Sequence, residues 1–205
     1  MNNNDIIFLE EVAYQIILCE KDNLIEPDSF GITPIWTNDK NFEYSGSYII
    51  DDLQLVLQDF TITADRSYPT INDIKPKTFL TESGLETANY ENIMEPIAFT
   101  GGIIVVNTLV KNYGYLNETP SFCYKFVREL LFHDGKLTTT IDHSKAMLRI
   151  RKNLELGLRN LDKKRDIRCI NRFVKSSFVG DYKYVYDKKK LHKVELNLKK
   201  YLSKI

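Results

Sequence analysis

The sequence has few glycines, prolines and cysteines. Nine glycines and six prolines among 205 residues exclude a collagen-like chain and a low-complexity linker. The cysteines, Cys19, Cys123 and Cys169, are odd in number and widely spaced, and they form no CxxC pair and no zinc-ligand spacing. We therefore interpret them as reduced thiols, which predicts a cytoplasmic protein.

Long apolar segments and a cationic leader are also missing. The strongest apolar run, residues 103–106, has only the length of a strand, whereas a membrane-spanning helix needs about 18 apolar residues. Residues 1–20 contain no lysine or arginine and no small-residue cleavage site. We therefore expect neither a signal peptide nor a transmembrane segment.

Motifs of catalysis and cofactor binding are absent. The chain contains no GxSxG, GxxxxGKS/T, GxGxxG, HExxH or CxxC pattern, which are common signatures of acyl transfer, nucleotide binding and metal sites. His133 and His143 could form a catalytic or metal pair with Asp142, but the predicted hairpin separates them by about 23 Å along the strands. We expect no catalytic residue, cofactor or metal, although an enzyme of another type stays an alternative.

Apolar periodicity predicts the order of the elements. Residues 6–17 favour an amphipathic helix with Asn4 or Asp5 as its cap. Residues 63–95 contain turn-forming residues and few apolar anchors, which is typical of a binding loop, a lid or a disordered segment. Residues 97–110 read as a strand region in which Gly101-Gly102 indicates a bulge or bend.

Two hairpins are predicted in the middle of the chain. With a turn at residues 51–52, Tyr48 pairs with Leu55 and Gly46 pairs with Leu57, so that all four residues share one face and Gly46 leaves room for a large side chain.

The second hairpin carries the clearer turn signal. The dipeptide Asp134-Gly135 joins residues 122–132 to residues 137–141, and it tolerates positive φ at both central positions. Phe126 and Leu130 are placed in the core together with the inward residues of the first hairpin.

Helical periodicity follows the second hairpin. Apolar residues from Met147 to Leu161 mark a helix with Asp142 or Ser144 as its cap, and a second helical stretch covers 167–178. A short strand at 183–186 and a last helix over 191–205 complete the chain. The predicted class is α+β, with an antiparallel barrel or sandwich, an N-terminal helix and a helical C-terminal region.

The run from Tyr44 to Phe60, YSGSYIIDDLQLVLQDF, together with Phe99 to Ile103, resembles a pattern in small uncharacterised bacterial proteins. In that pattern an aromatic–Gly–x–aromatic stretch and a short turn precede Leu-x-Leu and an Asp. The resemblance covers about residues 42–142. It implies a compact β-rich domain and transfers no site residue.

The charges of the chain are divided between its two parts. The whole chain carries 28 basic and 28 acidic residues, but residues 1–142 hold 9 basic and 22 acidic ones, and residues 143–205 hold 19 and 6. The two parts therefore have net charges of −13 and +13. We predict an acidic β-rich domain with the N-terminal helix over residues 1–142, and a basic helical region over residues 143–205 that is packed on this domain or appended to it. The basic part either packs on the acidic part or binds an external polyanion.

The basic part supplies the candidate contact residues. Dense lysines and arginines suit phosphates, and alternating tyrosines before a lysine run can stack on bases. The candidates for contact with nucleic acid or an acidic partner are Arg151, Lys152, Lys163, Lys164, Arg165, Arg168, Tyr184, Lys188, Lys189 and Lys190.

The absence of catalytic motifs and the divided charge favour a non-enzymatic binding protein that acts through protein–protein contact. An immunity protein, an antitoxin-like partner or an accessory subunit fits this description. The alternatives are a nucleic-acid-binding protein that uses residues 145–190, and an enzyme whose site lies at the mouth of the barrel.

Overall fold

A computed structural model of the chain describes residues 5–21, 23–33, 44–64, 68–81, 84–110, 119–156 and 163–182, with five side chains of the last helix left out. This part of the chain contains ten strands and two α-helices. The strands are β1 (Ile6–Leu9), β2 (Val12–Cys19), β3 (Tyr44–Asp51), β4 (Gln54–Thr63), β5 (Lys77–Leu80), β6 (Glu86–Tyr90), β7 (Glu95–Pro96), β8 (Gly101–Leu109), β9 (Tyr124–His133) and β10 (Lys136–Asp142). The helices are α1 (Ser144–Glu155) and α2 (Lys163–Ser177).

All ten strands belong to one sheet that closes into a ring. The order is β10-β9-β8-β2-β1-β3-β4-β6-β5, with β7 beside β4 and an additional pairing of β10 with β4. Only the β1–β3 pair is parallel among these strands. The α+β class with a β-rich core is confirmed, although the sheet is a ring with an extension rather than a regular barrel or sandwich.

The ring is closed where the tips of two hairpins meet. The Leu55 amide donates to the Gly135 carbonyl at 2.8 Å, and the Leu137 amide donates to the Leu53 carbonyl at 2.7 Å. Gly135 has φ +77°, and a Cβ on it would lie 2.3 Å from the carbonyl oxygen of Ile97. We call this contact between the tips of the β3–β4 and β9–β10 hairpins the clasp. At position 135 of the clasp, glycine is required both by the backbone conformation and by the close approach of Ile97.

The predicted N-terminal helix is wrong, because residues 6–17 form the antiparallel hairpin of β1 and β2. The turn between them is Glu10-Glu11, with φ of 51° and 67°. Burial along β1 alternates, with Ile7 and Leu9 inside. The apolar residues of this segment fit both the helical period of 3.6 residues and the strand period of 2, and the β-branched residues among them favour a strand.

The first predicted hairpin exists with a shifted register. Its turn is Asp52-Leu53, with φ of 45° and 65°, so Tyr48 pairs with Leu57, and a bulge then brings Gly46 opposite Phe60. A shift of two residues preserves the face, and Tyr48 and Leu57 are fully buried as predicted.

The second predicted hairpin is confirmed at Asp134-Gly135, where His133 pairs with Lys136. Leu130 is buried, but the prediction that Phe126 lies in the core is wrong, since this side chain is 39% exposed. Residues 63–95 are less irregular than predicted, because they include β5 and β6.

The apolar side chains form two separate clusters. The first fills the ring and contains Tyr48, Leu55 and Phe60. The second lies outside the ring, where Ile104 and Val127 of β8 and β9 meet the helices. The ring therefore buries side chains on both faces where the helices cover it.

The helices begin close to the predicted positions. His143 is the N-cap of α1, and the Asp142 carboxylate accepts the Ser144 amide at 2.8 Å. The predicted strand at 183–186 and the last helix lie outside the described residues. Neither described helix is long and apolar enough to cross a membrane.

Candidate functional site

The first candidate contact residue, Arg151, is buried and not available to a partner. Only 6% of it is exposed, and its guanidinium donates to the carbonyl oxygens of Phe122, at 2.8 Å, and Tyr124. These bonds tie α1 to the segment that precedes β9. The prediction that Arg151 contacts an external partner is therefore wrong.

Three other candidates lie at the surface of the helices. Lys152 is exposed on α1, and Arg165 and Arg168 are exposed one turn apart on α2. The side chains of Lys163 and Lys164 lie outside the description, and so do Tyr184, Lys188, Lys189 and Lys190. Of the ten candidates, the structure therefore describes four side chains, three of them exposed and one, Arg151, buried.

Apolar contacts hold the helices on the sheet. Met147 and Ile150 of α1, with Val174 of α2 and Phe178 beyond it, pack on the outer face of β8 and β9. The described helices therefore contact the β-rich part of the chain through apolar side chains. Lys175, by contrast, pairs at 2.7 Å with Asp181 of its own segment.

A buried carboxylate, Glu129, anchors the segment that follows α2. Its oxygens accept the amides of Val179 at 3.0 Å and Gly180 at 2.8 Å, and the Tyr182 hydroxyl at 2.9 Å. His143 Nε2 lies 2.8 Å from the other side of the same carboxylate. Glu129 itself has no exposed surface.

The hydrogen bonds decide the charge of Glu129. Burial alone raises the pKa of a carboxyl group, but donation from Gly180, Val179, His143 and Tyr182 outweighs it, and the pKa of Glu129 is lowered. The same carboxylate raises the pKa of the Tyr182 hydroxyl, after the larger effect of burial. Glu129 is therefore a buried anion.

A second carboxylate, Glu20, holds the same segment from the other side. It accepts the Asp181 amide and, at 2.6 Å, the amide of Gly102. A Cβ on Gly102 would lie 2.2 Å from the Tyr182 hydroxyl oxygen. The segment 179–182 is thus fixed on β8 and β9 by two carboxylates, and the glycine admits the tyrosine ring.

The Glu129–His143 pair is structural and not a catalytic pair. His143 is 8% exposed, and the ring of Phe178 packs edge-on against it with centroids 5.0 Å apart. A substrate has no access to the carboxylate. Within the described ranges no group of three or more His, Cys, Asp or Glu side chains is placed to hold a metal ion.

An open groove on the outer face of β1, β3 and β4 is the best candidate site. Its volume is about 750 Å³. Its lining combines apolar side chains with carboxylates. The residues that line this acidic groove are Ile6, Phe8, Ile49 and Ile50, the carboxylates Glu10, Glu11 and Asp59, and the polar Ser47 and Gln58.

Strand pairing explains why these residues meet. The parallel pairing of β1 with β3 sets Phe8 beside Ile49, with both side chains directed outwards. The β1–β2 turn then brings Glu10 and Glu11 into the lining of the groove. The Asp59 carboxylate accepts the Asn92 amide at 2.9 Å, so its position is fixed.

The β1–β2 turn, which carries Glu10 and Glu11 of the groove, has an unusual sequence. Two-residue turns with positive φ at both positions prefer Asn-Gly or Asp-Gly, and each residue with a side chain costs about 1 kcal/mol there. Glu10 and Glu11 nevertheless occupy it. The chain therefore carries two carboxylates at a position where stability alone favours other residues.

Sequence reasoning missed both the groove and Glu129. The groove depends on β1 being a strand, which the helical interpretation of residues 6–17 concealed. Glu129 had one signal: on the strand face that it shares with Val127 and Leu131, it is the one charged residue between them. No family model, curated protein or solved structure matches the chain.

Proposed function

We propose that this protein is a non-enzymatic binding protein that holds a protein partner in the acidic groove. The observation that carries the proposal is an open groove whose lining joins partly exposed apolar side chains to three carboxylates. Apolar surface that faces a groove gains free energy when a partner covers it. A role as an immunity protein, antitoxin-like partner or accessory subunit in the cytoplasm is compatible with this surface.

The chemistry of the groove defines the partner. Phe8 and Ile49 suit an aliphatic or aromatic side chain, and the carboxylates of Glu10 and Glu11 suit lysine or arginine on either side of it. Charge complementarity accelerates encounter and excludes acidic partners. The expected ligand is therefore a basic segment with a central apolar residue.

A direct test uses labelled peptides in which lysine and leucine alternate, with glutamate–leucine peptides of equal length for comparison. We expect the basic peptide to bind and the acidic peptide to stay free in fluorescence anisotropy. The variant E10Q/E11Q should bind the basic peptide about tenfold more weakly, since two exposed charges contribute about 1 kcal/mol or slightly more together.

The matched control is D51N/D52N, which removes two exposed carboxylates at the neighbouring β3–β4 turn, outside the groove. We expect this variant to bind as the natural sequence does. Phe8→Ala changes no charge and should also weaken binding. Equal binding by all variants, or no preference for the basic peptide, would contradict the proposal.

Nucleic acid is the second candidate ligand, and one observation favours it. Arg165, Arg168 and Arg172 are exposed at spacings of three and four on α2, and such a stripe can follow phosphates. A labelled oligonucleotide in the same anisotropy assay distinguishes the two functions. Binding that falls steeply with salt and is lost in R165E/R168E/R172E would favour the nucleic acid over the groove.

A further inference from the structure

Among the described strands, β5 forms an open edge of the sheet. It is the last strand in the order, beyond β6, and all four of its residues are exposed. Phe79 is 51% exposed and Leu80 is 73% exposed. An edge strand with exposed apolar side chains is a template for pairing with another strand.

The register determines which backbone groups of β5 are free. The Thr81 amide donates to the Leu85 carbonyl at 2.8 Å, which makes this a hydrogen-bonded pair. Bonded pairs alternate along antiparallel strands, so Phe79 bonds to β6. The amides and carbonyls of Thr78 and Leu80 therefore point away from the sheet.

We propose that β5 pairs with β5 of a second copy of this chain around a two-fold axis at Phe79. The outward residues Thr78 and Leu80 stand symmetrically on either side of Phe79. In antiparallel pairing about this axis, Thr78 exchanges two hydrogen bonds with Leu80 of the second copy, and Leu80 does the same with Thr78. The edge is thus complementary to itself.

The side chains also match themselves. At the axis the two copies of Phe79 face each other as a non-hydrogen-bonded pair, which brings side chains closest and favours aromatic contact. Lys77 already bonds to Glu91 at 2.6 Å within its own sheet, and it opposes Thr81 of the second copy. The pairing therefore brings no like charges together.

The size of the contact sets the strength of the dimer. Four hydrogen bonds and one aromatic pair make less than a standard interface of about 1,600 Å². We expect a monomer at low micromolar concentration and a dimer at several hundred micromolar. This inference is independent of the acidic groove, and its failure would leave the groove proposal intact.

Disulfide trapping tests the axis. In a Cys169→Ser background, which removes the exposed natural thiol, Phe79→Cys places two Cα atoms about 4.5 Å apart across the pair. Leu80→Cys is the matched control, because its two copies lie about 8 Å apart, beyond disulfide reach. We expect an oxidised dimer on a non-reducing gel for Phe79→Cys and a several-fold smaller yield for Leu80→Cys.

A second measurement leaves the natural cysteines unchanged and alters the hydrogen bonds of β5 instead. Thr78→Pro removes one outward amide, which an edge strand tolerates, while Thr78→Val keeps it. Sedimentation equilibrium should show a dimer for the natural chain and Thr78→Val, and a monomer for Thr78→Pro. A monomeric natural chain at several hundred micromolar, equal crosslinking of both cysteine variants, or a Thr78→Pro dimer would overturn the proposal.

Discussion

Two buried carboxyl groups, Asp5 and Glu129, behave in opposite ways. Asp5 is 5% exposed, and its Oδ1 accepts the amide of Gly46 at 2.8 Å. Burial raises its pKa from 3.8 to about 6, and the hydrogen bond only partly offsets this. Glu129 is buried as well, yet its pKa is lowered.

The difference follows from the donors that surround each group. A buried carboxylate loses its hydration and stays charged only if hydrogen bonds replace the water. Two backbone amides, a hydroxyl and an imidazole do so at Glu129. The comparison shows that burial alone does not determine whether a carboxyl group is charged. Glu129, with its four donors, is the group that anchors the segment after α2.

The largest expected effect is that of Glu129→Gln. The amide nitrogen of glutamine would face donors that need an acceptor, so we expect the free energy of unfolding to fall by about 3 kcal/mol or more. Urea denaturation measures this. Glu86→Gln, at an exposed position on β6, is the control and should change stability by less than about 0.5 kcal/mol.

Asp5→Asn should raise the free energy of unfolding, whereas Glu129→Gln lowers it. Because the folded state raises the pKa of Asp5, it binds the proton more tightly, and the stability from this group is complete below about pH 4 and is lost as pH rises to about 6. Asparagine stays neutral and keeps an acceptor for Gly46.

We therefore expect Asp5→Asn to be more stable at pH 7 by about 3 kcal/mol, with a flatter stability profile between pH 4 and 6. Thermal melts across this range measure both effects. A variant less stable than the natural chain at pH 7 would show that Asp5 is charged without cost, and the contrast with Glu129 would disappear.

The smallest effect is expected for Tyr182→Phe. The ring keeps its place over Gly102, and Glu129 loses one of its donors, which costs about 1–2 kcal/mol. With fewer donors the pKa of Glu129 rises, and since a lowered carboxyl pKa protects the folded state until low pH, the acid unfolding midpoint moves to higher pH.

Tyr90→Phe is the matched control for this change. Its hydroxyl donates to the Pro69 carbonyl at 2.7 Å, so the variant loses a similar bond to a neutral acceptor. We expect a comparable loss of stability without a shift of the acid midpoint. Identical acid midpoints for both variants would argue against Glu129 as a charged anchor.

Local turn chemistry explains which parts of the fold could be predicted. The dipeptide Asp134-Gly135 predicts its hairpin correctly because glycine adopts positive φ at no steric cost. Glu10-Glu11 adopts the same conformation without any such residue, so only tertiary pairing with β3 and β8 reveals the strands. The first hairpin lies between these cases, since Asp52-Leu53 gave a register error of two residues with the faces correct.

The site was less predictable than the fold, because it is assembled from distant segments. Glu129, Glu20 and Gly180 come from three parts of the chain and meet only when α2 docks. Arg151 shows the reverse error: a helical arginine in a basic run reads as surface until the carbonyls of Phe122 and Tyr124 surround it.

The clasp between the two hairpin tips has a consequence for the course of folding. Each hairpin is local and can form within microseconds, whereas the bond from Leu55 to Gly135 joins segments far apart in the chain. Loop closure entropy opposes such a contact until the strands between are in place. We therefore expect the ring to close late, at a rate set by topology and not by the strength of either hairpin.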